Sequence, residues 1–314
     1  MERKYHVLLN VNSGTAQALG LTGETVSEMF EAQGITATVD ADPDTDFDER
    51  VARAVASDAD TVVAAGGDGT ITALAAALLG TGKSLAILPL GTANLLAKDL
   101  HIPFDPEQWV ASLREMEPTA IDVCEVNGHV FLHKAVAGMI PELAAGRERI
   151  RGGGLGAVLG FLRYAARRTS RARRLALEIT AEDGQSHVER VQSIAVASNA
   201  YDEGLGRFFA KAHLDEGFLT VYIVKHLNLG DMLRLTARML SGRWRDDESL
   251  RIEQVQSLTI RSKKPRLQMM IDGEVMSMPT PLQFSLRPRA LPILAPVQHQ
   301  SQEEADAAAR AIRL

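Results

Sequence analysis

The chain has almost no cysteine, and other features that would assign it to a special class of protein are missing too. Cys124 is the only cysteine among 314 residues, so no internal disulfide can form, which fits a reducing compartment. No apolar run approaches the roughly 20 residues that a membrane-spanning helix needs. The short run Val7–Leu9 predicts a first strand rather than a signal sequence. We therefore expect a globular protein.

An excess of positive charge is also lacking. The net charge of −6 argues against a nucleic-acid partner. The window from Arg147 to Arg174 is the exception, because nine arginines and one acid, Glu148, give it +8 and leave −14 for the rest. Apolar residues from Leu155 to Leu162 have helical spacing there, which predicts an amphipathic helix on an anionic membrane surface. The alternative is a helix packed on the protein with a solvated basic face.

The length of 314 residues predicts two domains, because it exceeds what one ordinary core accommodates. The first part alternates strands and helices, which is typical of βαβ units and a mostly parallel sheet. Later segments are short and rich in Val, Ile, Leu and Thr, and Asn127-Gly128 and Asp183-Gly184 are hairpin signals of an antiparallel β-sandwich. The last of these strands can pack back near the first domain. The predicted division is an α/β domain at 1–120, a β-sandwich domain with helical insertions at 121–296 and a polar tail at 297–314.

Several single elements are predicted from the periodicity of apolar residues. They are one helix from Thr15 to Phe30, single strands at His129–Ala137 and Val188–Ser198, and helices at about 155–168 and 229–240.

Three glycines in four positions follow an apolar strand in the loop Gly66–Thr70. Without Cβ atoms, backbone N–H groups can approach an anion, and a following helix adds its dipole. Thr70 is a candidate N-cap of that helix. Asp68 would repel a phosphate unless a cation lay between them, which favours a Mg²⁺-bridged phosphate or an acid–base role. The alternative is a plain tight turn between strand and helix.

A second glycine loop, Pro89–Asn94, follows the next strand, and Thr92 or Asn94 can cap a helix there. Ligands of parallel sheets bind at the carboxyl ends of strands, so the two loops are expected to meet at one crevice. The segment Gly80–Ser84 imitates a P-loop, but it follows a helix and precedes a strand. It therefore predicts a helix end and a turn.

Near the other end of the chain, an apolar run leads into Asp272-Gly273, and Glu274 follows. Asp-Gly strongly favours a β-hairpin turn. Two carboxylates two residues apart also suit catalysis, so both interpretations stay open on the residues alone.

Together these segments resemble the diacylglycerol kinase catalytic family, which includes bacterial lipid kinases, sphingosine kinases and ceramide kinases. The resemblance runs from about residue 5 to residue 296 and keeps the family's order of motifs. The matching segments are Asn10–Gly14, Gly66–Thr70, Pro89–Asn94, His213–Leu219, and Ile271–Glu274 followed by Thr280–Leu282 and Leu286–Pro288.

The resemblance implies a three-layer α/β domain like that of NAD kinases, a β-sandwich domain, and an active site in the cleft between them. It implies ATP and Mg²⁺, with a diacylglycerol, sphingoid or ceramide-type lipid as acceptor. Asp272 would be the general base, and Asp215 and Phe218 would hold a structural Mg²⁺. The implied nucleotide-binding residues are Asn10, Asn12, Ser13, Gly66, Gly67, Asp68, Gly69, Thr70, Gly91, Thr92, Asn94 and Glu274.

Some positions depart from the family's pattern. Thr72 and Ala73 stand where the family often has Asn-Glu, and Leu95 and Lys98 stand where it often has Asp and Arg, whereas Asp122 matches another acid of that charged network. The departures concern the arrangement of the metal.

Two alternatives remain, an NAD kinase and a non-enzymatic nucleotide- or lipid-binding protein of the same fold. The expected location is the cytoplasm, with peripheral attachment to the inner face of the membrane, and a homodimer is an open alternative to a monomer.

Overall fold

The computed structural model describes residues 3–138, 174–182, 184–202, 211, 213–225 and 229–297. Within these residues the chain forms two compact units. The first unit contains 3–123, 213–215 and 288–297, and the second contains the described parts of 124–211 and 216–287. The predicted helix at 155–168, the basic window except Arg174, and the tail from residue 298 lie outside the described residues.

The first unit is an α/β domain with a mostly parallel sheet, as predicted. Its strands lie in the order β2-β1-β3-β4, all parallel, and Ile293 near the end of the chain pairs in parallel with Leu85 of β4. Every residue of β1 and β3 is buried, which means that both faces of the sheet are covered. The elements are β1 (Tyr5–Leu9), α1 (Gly14–Leu19), α2 (Gly23–Ala32), β2 (Ala37–Asp40), α3 (Phe47–Ala56), β3 (Thr61–Gly66), α4 (Asp68–Leu78), β4 (Ser84–Pro89), α5 (Leu95–Asp99), α6 (Pro106–Ser112), a 3-10 turn (Leu113–Glu115) and β5 (Met116–Val126).

The single helix predicted from Thr15 to Phe30 is wrong, because two helices occupy this stretch. Gly20 has a φ of 64° and ends α1, since a left-handed residue cannot continue a helix. Thr22 then begins α2 through a capping box, in which the Thr22 and Thr25 side chains each accept the other's backbone N–H. The apolar residues keep their helical spacing on both sides of this break, so periodicity alone does not reveal it.

The second unit is an antiparallel β-sandwich with a helical insertion, as predicted. One layer has the strand order β12-β11-β10-β7-β14-β15, the other contains β16-β13-β8-β9, and β6 pairs with β5. A shared core lies between the layers, where the Phe131 and Phe284 rings meet edge-on at 6.3 Å. The elements are β6 (His129–Phe131), β7 (Lys134–Gly138), β8 (Leu175–Ala181), β9 (Ser186–Val191), β10 (Ser193–Ser198), β11 (Leu219–Val224), α7 (Leu229–Leu240), β12 (Leu250–Val255), β13 (Ser257–Ser262), β14 (Arg266–Ile271), β15 (Glu274–Pro279) and β16 (Leu282–Pro296).

Two strand predictions in this unit are wrong in the same way. Leu132 and His133 separate β6 from β7, so His129–Ala137 is not one strand. Val188–Ser198 likewise contains part of β9 and the whole of β10, with Gln192 between them. The hairpin predicted at Asn127-Gly128 is confirmed between β5 and β6, with φ values of 49° and 81°.

Within the described ranges, no helix is both long enough and apolar enough to cross a bilayer. The segment Gly80–Ser84 is a turn, as predicted, with positive φ at both of its glycines and β4 beginning at Ser84.

Candidate active site

The first glycine loop joins β3 directly to α4. Gly67 is the N-cap of α4, and no side chain caps the helix. The prediction that Thr70 is the N-cap is therefore wrong. Thr70 is buried inside the first turn, and a Cβ added at Gly66 would lie 2.5 Å from its Oγ1. The first N–H groups of a helix have no acceptor within it, so this end of α4 can bind an anion.

The two glycine loops meet, as the order of the strands predicts. A Cβ added at Gly91 would lie 2.5 Å from the Cα of Gly67, so the backbones touch only because both residues lack side chains. The Leu90 N–H donates to the Gly66 carbonyl at 2.9 Å. The loops after β3 and β4 thus form one continuous surface of exposed and half-buried backbone.

Asp68 fastens this contact. Its Oδ2 accepts the N–H of Asn94 at 3.0 Å, and its Oδ1 accepts the N–H of Leu95 at 2.9 Å. The sequence suggested only a Mg²⁺-bridging or acid–base role for Asp68. The structure adds a third role, in which the carboxylate holds the second loop on the first.

Asn94 occupies the N-cap position of α5, one of the two positions that the sequence offered, but its side chain shapes the second loop. Its φ is 47°, and its side chain makes no cap hydrogen bond to α5. Instead, its Oδ1 accepts the N–H of Gly91 at 2.9 Å and its Nδ2 donates to the Gly91 carbonyl at 2.7 Å. Thr92, between them, is exposed and can contact a ligand directly.

The segment Asn10–Ser13 lies at the same edge of the sheet, because β1 pairs with β3 up to Ala65. The Asn10 N–H donates to the Ala65 carbonyl at 2.8 Å, and the Asn10 Oδ1 accepts the N–H of Asn12 at 3.1 Å. Ser13 caps α1. Of these residues Asn12 is exposed, so it is the one best placed for a ligand.

Asp272 occupies the turn between β14 and β15. Its φ of 45° and that of Gly273, 101°, form the hairpin turn that one interpretation of the sequence required. Its carboxylate accepts three backbone N–H groups, from Leu132 to Oδ2 at 2.7 Å, and from His133 and Lys134 to Oδ1 at 3.0 and 2.9 Å. The donors come from the interruption between β6 and β7. The hairpin interpretation of Asp272-Gly273 is therefore confirmed, and the catalytic role of Asp272 stays a prediction.

The electrostatics around Asp272 suit a base. Burial raises the pKa of its carboxyl above the ordinary value, and the three N–H donors and the charge of Lys211 oppose that rise. Burial lowers the pKa of His133 well below its ordinary range, so this histidine is neutral. Burial and the charge of Lys211 also lower the pKa of Lys134. Glu274 begins β15 and is exposed.

Asp215 and Asp122 both contact Arg289, which has a φ of 48°. The Arg289 backbone N–H donates to the Asp122 Oδ1 at 2.8 Å, and its guanidinium donates to the Asp215 Oδ2 at 2.7 Å. The Phe218 carbonyl accepts the N–H of Asn199 at 3.1 Å.

A structural Mg²⁺ at Asp215 would have to displace the Arg289 guanidinium, and the role of Asp215 and Phe218 as its ligands stays a prediction. In the part of the chain that the structure describes, no group of three or more His, Cys, Asp or Glu side chains is placed to hold a metal. Asp68 fits a nucleotide-bound Mg²⁺ better. Each of its oxygens accepts one N–H and can accept a second donor, such as a metal-bound water.

The structure thus brings the nucleotide-binding candidates of the first unit to one sheet edge, and it places Asp272 and Glu274 on one hairpin of the second unit. Sequence reasoning missed the partners of Asp272, namely Leu132, His133, Lys134 and Lys211. The one available signal was the polar His133 after the apolar stretch Val130–Leu132, which interrupts a strand pattern.

Comparison with known families gives two matches along the chain. The diacylglycerol kinase catalytic domain matches residues 4–126, and the "YegS C-terminal NAD kinase beta sandwich-like domain" matches residues 149–295.

Individual relatives agree with these matches. A protein of Pseudomonas aeruginosa named "Probable lipid kinase YegS-like" is 31% identical over 262 residues, covering 78% of this chain and 80% of the relative. A diacylglycerol kinase of Staphylococcus saprophyticus is 21% identical over 279 residues, covering 87% and 90%. The crystal structure of a diacylglycerol kinase from Bacillus anthracis superposes with a TM-score of 0.66 at 16% identity, covering 93% of this chain and 97% of that one, which shows the fold.

Proposed function

Because the chain belongs to the YegS-like lipid kinases of the diacylglycerol kinase catalytic domain family, we propose that it transfers the γ-phosphate of ATP to the hydroxyl of a lipid. The acceptor we propose is a diacylglycerol or a sphingoid or ceramide-type lipid. The observation that carries the proposal is Asp272, a carboxylate fixed by three backbone N–H groups on a hairpin turn.

The first unit supplies the phosphate-binding surface in this proposal. The N–H groups at the start of α4 have no acceptor within the helix and no side-chain cap among the described residues, and they favour negative charge through hydrogen bonding and the helix dipole. Gly67 and Gly91 let the backbone of both loops approach the phosphates. Asp68 keeps the loops together, so the donors are in place before ATP binds, which reduces the cost of binding.

Asp272 takes the proton of the lipid hydroxyl at its Oδ2. Within the described residues Oδ1 accepts two N–H groups and Oδ2 accepts one, so acceptor capacity remains on Oδ2. The acceptor oxygen bonds to the γ-phosphorus, the bond from that phosphorus to the bridging oxygen breaks, and ADP leaves. The raised pKa of Asp272 makes it a better base near neutral pH than an ordinary aspartate, whose pKa is ~4.

Mg²⁺, when bound with ATP, would neutralise charge on the phosphate oxygens. Asp68 is the residue that fits this ion, through a metal-bound water. Thr72 and Ala73, where the family often has Asn-Glu, offer no carboxylate in the next turn of α4. We therefore expect the protein to hold Mg²⁺ mainly through the nucleotide.

Labelled phosphate transfer tests the proposal. Full-length protein with Mg²⁺ and [γ-³²P]ATP is incubated with diacylglycerol, sphingosine, ceramide or phosphatidylglycerol in mixed micelles, and with NAD as the competing acceptor. We expect label in one lipid product and none in NADP. Label in NADP alone would favour an NAD kinase, and no transfer to any acceptor would favour a binding protein of the same fold.

We also propose that the basic window Arg147–Arg174 attaches the protein to an anionic membrane surface, close to its substrate. The support is the net charge of +8 in this window, since each surface arginine near anionic lipid adds about 1 kcal/mol of binding free energy. Sedimentation with liposomes tests it. Binding should require anionic lipid and weaken with salt, and equal binding to neutral liposomes would contradict it.

A further inference from the structure

Lys211 lies behind the peptide segment that holds Asp272. It is only 3% exposed, and its Nζ donates to the Leu132 carbonyl at 3.2 Å and approaches the His133 carbonyl at 3.5 Å. A lysine is rarely buried unless its ammonium has partners. These two carbonyls give it partners within hydrogen-bonding range.

The same two peptide groups face Asp272 on their other side. The Leu132 carbonyl shares a peptide group with the His133 N–H, and the His133 carbonyl shares one with the Lys134 N–H. Both N–H groups donate to the Asp272 Oδ1. Two consecutive peptide dipoles therefore connect an ammonium to a carboxylate, and hydrogen bonds in such a chain polarise and strengthen one another.

The ammonium is also held from a second direction. The Nζ atoms of Lys211 and Lys134 lie 5.6 and 5.7 Å from the centre of the Tyr201 ring. This ring packs on Tyr222 with centroids 5.6 Å apart, and the Tyr201 N–H donates to the Tyr222 hydroxyl at 3.0 Å. Lys211 thus has a fixed place and does not behave as a solvated side chain.

We propose that Lys211 is a positioning residue for Asp272, acting through the Leu132–Lys134 peptide groups. It aligns the N–H donors, and its charge favours the ionised carboxylate. Among the described residues, the charged and titratable groups near Asp272 are neutral His133, Lys134 and Lys211, with Glu274 exposed on the next strand. The expected effect on kcat rests on the proposed function, whereas the expected effect on the Asp272 pKa does not.

Loss of the Lys211 ammonium has a predictable sign. The charge of Lys211 lowers the pKa of Asp272, so its removal raises that pKa further above the ordinary value. A general base is active when ionised, so activity should then be lost at a higher pH than in the wild type. A residue that only filled space would lower activity equally at every pH.

The test compares Lys211→Met, Lys211→Arg and wild type in the full-length protein. The ¹³C signal of the Asp272 carboxyl, assigned by its absence in Asp272→Asn, is titrated by NMR, and kcat is measured against pH with ATP and the best lipid acceptor. Lys211→Met should raise the Asp272 pKa and lower kcat about tenfold on the acidic side, with recovery at higher pH. Lys211→Arg should restore both. Lys225→Met, at an exposed lysine paired with Glu189, is the control.

Equal Asp272 titration in Lys211→Met and wild type would overturn the proposal, as would a drop in kcat that is uniform with pH. If Lys211→Met does not fold, Lys211→Gln keeps a donor without the charge and should give the same rise in pKa. If the wild type transfers no phosphate to any lipid, the proposed function fails, and the NMR titration still decides the role of Lys211.

Discussion

The two units each contain an Asp-Gly pair whose carboxylate accepts backbone N–H groups from a distant segment, but the arrangements differ. Asp68 accepts two such groups from a loop 26 and 27 residues away, beside glycines that let two backbones touch. Asp272 accepts three, from a segment 138 to 140 residues away, where a strand is interrupted. The same kind of bond joins two glycine loops in one unit and fixes the proposed general base in the other.

The comparison shows that similar hydrogen bonds do not give two aspartates the same role. The burial and the charges around each carboxylate also decide what it can do. Asp68 lies in the first turn of α4, where the helix dipole favours negative charge. Its carboxylate holds one glycine loop on the other. Asp272 is half-buried, burial raises its pKa, and its Oδ2 accepts only one N–H group from the described residues, so it keeps acceptor capacity. Substitutions in the two sites should therefore affect different steps.

The largest effect is expected from Asp272→Asn. The amide cannot accept a proton, so kcat should fall about 10²- to 10⁴-fold, while the KM for ATP changes little. Asn-Gly still favours the hairpin turn, which circular dichroism would check. Asp105→Asn, at a helix N-cap where asparagine is equally good, is the matched control. A wild-type kcat in Asp272→Asn would contradict the role of Asp272 as the general base, and with it the proposed difference between the two aspartates.

Gly91→Ala should come next. Its Cβ would lie 2.5 Å from the Gly67 Cα, so the loops must separate. We expect about 1–3 kcal/mol less stability, as for overpacking, and a loss of ATP binding. Calorimetry with a non-hydrolysable ATP analogue measures both. Gly14→Ala has nothing within 4 Å of the added Cβ and should keep the wild-type stability. Wild-type ATP binding by Gly91→Ala would mean that the loop contact is dispensable.

Asp68→Asn should have a smaller effect of a different kind. Its amide oxygen can accept one N–H, while its amide nitrogen faces the other, so the loop is held less firmly and stability falls by about 1 kcal/mol. The KM for ATP should rise severalfold with kcat reduced less. Steady-state kinetics on both Asn variants gives the comparison. A pure kcat defect in Asp68→Asn would place Asp68 in the chemistry instead.

The smallest effect is expected from Arg289→Met. The Arg289 side chain is 68% exposed, and such ion pairs contribute at most about 1 kcal/mol. The backbone N–H bond to Asp122 stays. The melting temperature should fall slightly, and less at high salt, as in the control Arg287→Met, which breaks a comparable pair with Glu125. A large fall that Mg²⁺ reverses would show that Asp215 does bind a metal.

The sequence was sufficient for the fold class, an α/β domain with a mostly parallel sheet and a β-sandwich, and for the meeting of the glycine loops. These features depend on periodicity and on chain order within a parallel sheet. The break at Gly20 was missed because apolar spacing continued through it. The breaks at Leu132-His133 and Gln192 were missed because strand-like sequence continues on both sides of each break.

The partners of the two aspartates were beyond sequence reasoning. Almost every residue type has a backbone N–H group, so the sequence does not show which of these groups donate to a side chain. The N–H groups of Leu132–Lys134 donate to Asp272 although 138 to 140 residues separate them in the chain. Lys211 is also invisible in this role, because a lysine in an irregular stretch is normally solvated. Such contacts depend on how strands of the sandwich register, which no local pattern specifies.

The interruption between β6 and β7 also matters for moving the Asp272 site into another protein, because the hairpin alone would not carry its hydrogen-bond donors. The Asp272 N–H donates to the Lys134 carbonyl at 3.0 Å, so the hairpin and the interrupted strand are locked in one register. A one-residue insertion in β7 would turn its side chains to the opposite face and carry the three amides away. A scaffold given only the Asp-Gly hairpin would display an exposed aspartate of ordinary acidity. The transferable unit is the hairpin together with the gap in its neighbouring strand.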